Sequence, residues 1–105
     1  MPSVEGTVVR EIDANSRVIG TWEIDGRTNT FTFNLSNSMP MFKSGAATLT
    51  YDTTDDLTGT CTFQGLIGRN QIKVTLDDAV TVSGSLDTAI RVNASVNGTG
   101  IWQQS

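Results

Sequence analysis

The chain has 105 residues and a formal net charge of −4, with seven Lys and Arg against eleven Asp and Glu, no His and a single Cys. That balance argues against duplex nucleic-acid binding, which needs a surplus of cations to neutralise phosphate, and it removes imidazole chemistry, His-ligated metals and any disulfide within the chain. No apolar run reaches the ~18 residues of a membrane span, and the N-terminus lacks the basic and apolar regions of a secretory signal. The expectation is one cytoplasmic domain over residues 1–105.

Taken in order, the apolar residues recur with a period of two. Val4 and Val8 begin a strand over 4–11. Val18, Trp22 and Ile24 mark 17–24, and Phe31, Phe33 and Leu35 mark 28–35 with Thr30, Thr32 and Asn34 between them. Leu49 and Tyr51 fall in 46–51, and Leu57, Cys61 and Phe63 in 57–64. Ile72, Val74 and Leu76 mark 70–76, Val82 marks 79–85, Ile90, Val92 and Val96 mark 88–96, and 99–104 closes the chain. Alternation of this kind is the mark of antiparallel strands with one face on a core and one in water. Thr, Ser and Asn, 32 residues together, supply the wet face, where the branched Cβ of Thr suits extended backbone.

The connections read as short turns. Asp25-Gly26 and Asn97-Gly98 both suit the two positive-φ positions of a type I′ hairpin. Asp52 to Asp56, Gly65 to Gly68 and Asp77-Asp78 are further breaks. Sequential strands joined this way pair as neighbours, and a long meander removes its exposed edges by closing. The expected fold is therefore all-β: a single small antiparallel up-and-down β-barrel of eight or nine strands, with a two-sheet sandwich or jelly roll as the alternative.

At Gly20-Thr21-Trp22, echoed by Gly98-Thr99-Gly100-Ile101-Trp102, the chain resembles small calycin-like barrels of the lipocalin and avidin type. In those, an early strand carries Gly-x-Trp and its indole plugs one end. The resemblance implies a small apolar ligand inside the barrel.

The chemistry-bearing residues narrow function mostly by exclusion. Cys61 lies mid-strand on the apolar face with no base to activate it. The Asp clusters fit turns better than a calcium loop. No catalytic residue, cofactor or metal site is expected, and the protein is read as a non-enzyme. Two segments break the polar habit of loops. One, 36–45, is the longest connection and carries Met39, Met41 and Phe42, a plug for the core or a lid over a ligand. With Trp22, Tyr51 and Trp102 they are the candidate ligand-binding residues. The other, Gly65-Leu66-Ile67-Gly68, puts Leu66 and Ile67 at an expected hairpin tip as candidate interface residues. Two functions follow from these segments. One is a barrel that binds a small apolar ligand inside or under 36–45. The other is a module that self-associates through apolar loop tips. Neither involves nucleic acid or a membrane.

Overall fold

The computed structural model describes residues 2–77 and 80–104, Thr54 by its backbone alone. Eight strands run in chain order: β1 (Ser3–Arg10), β2 (Arg17–Ile24), β3 (Arg27–Leu35), β4 (Lys43–Thr50), β5 (Thr60–Ile67), β6 (Gln71–Leu76), β7 (Val80–Ser85) and β8 (Ala94–Gln104), with one 3-10 turn at Thr54–Asp56. They close into an antiparallel barrel. Among the described residues, closure leaves no strand with a row of unpaired backbone groups, which is the reason a closed sheet is expected.

The wiring corrects the expected meander. Around the barrel the order is β1-β2-β3-β8-β5-β6-β7-β4. It is two Greek keys in tandem: β4 returns to lie beside β1, and β8 returns to lie beside β5. The two keys join at β3–β8 and β7–β4. The connections 36–42 and 86–93 carry these returns across one end, called here the upper end. The β1–β2 and β5–β6 turns share that end, while 25–26, 51–59 and the β6–β7 turn lie at the lower end. Seven extended residues reach roughly 24 Å, about the 24 × 23 Å cross-section of the molecule. The 36–42 segment is therefore long enough to skip two strands.

Two other expectations change. Asn97-Gly98 is no hairpin. It lies inside β8, where Asn97 faces Gln64 and Gly98 faces both Leu35 and Phe63. Gly98 has φ +151°, and a Cβ there would collide with the Asn34 carbonyl, so its glycine serves close packing rather than a turn. The ninth strand, 88–96, dissolves accordingly, its first half being part of the upper crossover. Gly65-Leu66-Ile67 belongs to β5 rather than to its tip. In contrast, Asp25 (φ 53°) and Gly26 (φ 78°) form the expected turn of two positive-φ residues. In the β6–β7 turn Asp77 is likewise left-handed (φ 48°), while Asp78 and Ala79, which the sequence places in that turn and at the start of the next strand, lie outside the described residues.

Inward-facing side chains fill the barrel. Phe31, Phe33 and Phe63 pack edge to face at centroid distances of 4.6 and 5.2 Å for the two pairs that involve Phe33, and Trp102 stacks on Phe31 at 4.9 Å. Trp22 lies across β1 at Gly6 and donates its Nε1 proton to the Ala47 carbonyl of β4 at 3.0 Å. A Cβ on Gly6 would stand 2.5 Å from the Trp22 ring, and it would also strike the Thr21 carbonyl. Opposite Gly6, β4 bulges: Gly6 faces Ala47 and Val8 faces Ser44, so two residues of β4 oppose the single Thr7.

Gly6→Ala should therefore dislodge the indole. The expected cost is about 3 kcal/mol, from overpacking together with the lost hydrogen bond, a fall in Tm of roughly 15 °C for a domain of this size. Gly26→Ala meets open space and strains only its backbone, so it should cost about 1 kcal/mol. Thermal melts of the two variants, followed by Trp fluorescence, check the contrast.

Candidate functional site

The residues expected to hold a ligand are mostly wall and plug. Trp22, Tyr51 and Trp102 are buried toward the lower end, beside Leu57 of the 51–59 crossover. Met39 and Phe42 are buried at the upper end, held down by the Met39 amide on the Asn15 carbonyl (2.8 Å) and by the Phe42 carbonyl under the Arg10 amide (3.2 Å). The 36–42 segment thus closes on the core itself. Met41 alone of its three large side chains is exposed. The second crossover behaves the same way: its Leu86 is buried, and backbone bonds tie it to Asn70, Lys43 and Arg69.

The two interface candidates separate. Leu66 points outward and is 47% exposed, whereas Ile67 faces the core at 1%. Because both lie in β5, the pleat puts them on opposite faces, and Ile67 cannot meet another chain.

The Cys61 thiol is not activated. Cys61 is buried, and its thiol is pushed up to about 11, first by burial and then by the Asp77 carboxylate beside it. Asp77 is committed elsewhere. Its Oδ1 accepts from the Thr62 amide (3.0 Å) and the Thr62 hydroxyl (2.9 Å). The Thr62 amide, more than any other group, holds this carboxyl below its ordinary value. Asp56 likewise serves its turn, accepting from the Thr53 amide at 3.2 Å. Among the described residues no three His, Cys, Asp or Glu side chains gather closely enough to hold a metal ion, and no helix is long and apolar enough to cross a membrane.

Surface features are of three kinds. On the outer wall, Gln64, Leu66, Lys73, Thr75, Ser95 and Asn97 border an open furrow of about 560 Å³ over β6, β5 and β8. At the lower end a smaller polar recess of about 280 Å³ opens between the 25–26 hairpin and the 51–59 crossover. At the upper end lies an exposed apolar and basic rim. Ile12, Met41 and Val92 are exposed on its loops, and Leu66 sits one residue from the top of β5. Exposed Arg17, Lys43, Arg69 and Arg91 stand among them. Only Arg17 is engaged in an ion pair among the described residues, to Glu11 at 3.1 Å.

The sequence reading found Met41 and Leu66 but missed the rim, because Ile12 and Val92 are isolated in the sequence and meet only through the crossovers. It also missed Asn29 and Gln104. Their signal was available, since Asn29 continues the Phe31–Phe33 parity and Gln104 that of Trp102, and a polar residue on an apolar stripe is the informative exception. Compared with protein-family models, curated proteins and solved structures, the chain finds no match.

The state of Cys61 gives a direct test. Folded chains hold the thiol proton up to about pH 11, while unfolded chains release it near 9.0. Its contribution to stability is therefore complete below pH 9 and is lost as the pH rises from 9 towards 11. The expected result is slow iodoacetamide labelling at pH 8 that becomes fast in denaturant, together with an alkaline fall in stability that Cys61→Ala does not show.

Proposed function

We propose that this barrel is a non-enzymatic interaction module whose upper end docks on the acidic lower end of a second copy. The observation that carries the reading is the way charge and exposed apolar surface divide between the two ends. Six of the seven Lys and Arg residues, all but Arg27, lie in the upper half. Seven acids lie in the lower half: Glu5, Glu23, Asp25, Asp52, Asp55, Asp56 and Asp77. Among the described residues, four of the five large exposed apolar side chains, Ile12, Met41, Leu66 and Val92, fall in the upper half as well. Apolar area removed from water supplies affinity at about 25 cal/mol per Å², and opposed charge supplies orientation and encounter rate.

The other expectation, a small apolar ligand inside the barrel, as the calycin-like resemblance implies, or beneath 36–45, as its apolar side chains suggest, draws less support. Aromatic rings occupy the interior, and Met39 and Phe42 are packed against it. An eight-stranded barrel has room for side chains or for one small ligand, and here the side chains take the space.

A contact between unlike ends is heterologous, so it propagates unless its rotation closes a ring. Light scattering at low salt should show a mass that climbs steadily above 11.3 kDa as concentration rises, without stopping at a dimer. The mass should fall back at about 1 M salt, where the screening length is about 3 Å. Arg69→Glu with Arg91→Glu should abolish the rise, as should Asp52→Arg with Asp55→Arg, and mixing the two variants should restore association. A wild-type chain that stays monomeric at low salt and hundreds of micromolar would overturn the reading.

A further inference from the structure

Two buried side-chain nitrogens have no hydrogen-bond partner among the described residues, Trp102 Nε1 and Arg10 Nε. The indole N–H neighbours the Cys61 thiol inside the filled barrel, where no other molecule reaches. Arg10 stands differently. It ends β1 at the upper rim and is half-buried. In register it faces the buried Val18, and residues directly opposed across two strands share a face. Its side chain therefore continues the inward stripe of Val4, Gly6 and Val8. A cation has no place on an apolar stripe unless something requires it, and an enclosed donor without an acceptor costs stability. The acids of the upper half do not relieve it. Glu11 is held by Arg17 at 3.1 Å, Asp87 Oδ1 accepts from the Gly45 amide at 2.9 Å, and Asp13 forms no ion pair among the described residues.

The surroundings say what the missing acceptor is. Two of the exposed apolar side chains of the rim flank Arg10. Ile12 follows two positions on, and Met41 adjoins Phe42, whose carbonyl accepts from the Arg10 amide at 3.2 Å. An arginine ringed by apolar side chains that exclude water on contact is the arrangement in which a few residues carry most of an interface's affinity. At the opposite end of the barrel, Asp52 and Asp55 of the 51–59 crossover are exposed, while Asp56 is engaged with the Thr53 amide. We infer that Arg10 is the anchor of the end-to-end contact, its guanidinium edge, Nε with one Nη, taking both oxygens of an aspartate in the second copy's 51–59 crossover. The planar fork matches a carboxylate in a way an ammonium does not. Contact draws the side chain outward by a rotamer change, a common adjustment at interfaces, and the enclosed N–H gains its acceptor. The inference rests on the docking reading and deepens it: charges at the rim such as Arg69 and Arg91 speed the encounter, and Arg10 holds the docked pair.

Light scattering at low salt compares the wild-type chain with Arg10→Lys and Arg10→Leu. Arg10→Lys keeps the charge and loses the fork, so it should need about thirtyfold more protein to reach the same mean mass. Arg10→Leu should lose association at least as far, yet its dilute monomer should melt no lower than the wild type, since no ion pair within the chain is lost. By NMR of isotope-labelled protein, the Arg10 Nε–Hε signal should move as the wild-type concentration rises and stay fixed in the Asp52→Asn, Asp55→Asn chain. If the wild type associates and Arg10→Lys does so equally well, the inference is overturned and the docking reading stands. An Arg10→Leu monomer that melts clearly lower also overturns it, by making the side chain a structural one. A wild-type chain that stays monomeric removes both.

Discussion

The indole of Trp22 is the piece around which the barrel is arranged. It must cross β1 to reach the Ala47 carbonyl on β4, and it can do so only where β1 has no side chain, at Gly6. The β4 bulge sits at that same point and faces Ala47 to Gly6. A closed sheet has a fixed interior, so the large ring placed here decides what fits elsewhere. Trp102 lies 6.1 Å away, and the phenylalanine cluster stacks above it. Glycine at 98 and 100 lets β8 take its central place against these rings.

A full interior moves function to the ends and the wall. The two crossovers at the upper end cap the core with Met39, Phe42 and Leu86, but each also leaves one apolar side chain outside, Met41 and Val92. The lower end is closed differently. There the 51–59 crossover covers the core with Tyr51 and Leu57, and its aspartates stay in water. One barrel thus presents two ends of opposite character, and the electrostatic field between them runs along the strands.

The legible parts of the sequence were those whose physics is local. Alternation over Phe31–Leu35 and Ile72–Leu76 marked strands and their inward faces, because the pleat repeats every two residues. Asp25-Gly26 marked a hairpin because its flanking strands are adjacent in the chain and its two residues tolerate positive φ. Asn97-Gly98 carries the same local signal and fails. Its glycine answers the carbonyl of Asn34 and the ring of Phe63, both distant in sequence. Ile67 was misplaced for a related reason. Two adjacent apolar residues between glycines look like a tip, but a β5 that runs to Ile67 sends one side chain in and the other out.

By itself the sequence determined an all-β fold, most of its inward residues, a cysteine on the apolar face and the absence of imidazole chemistry, since composition and period two act residue by residue. Only the tertiary structure decided the two Greek keys and the division of charge and apolar surface between the ends. Those depend on which strands the crossovers skip, and a loop's residues show how far it can reach without showing where it lands.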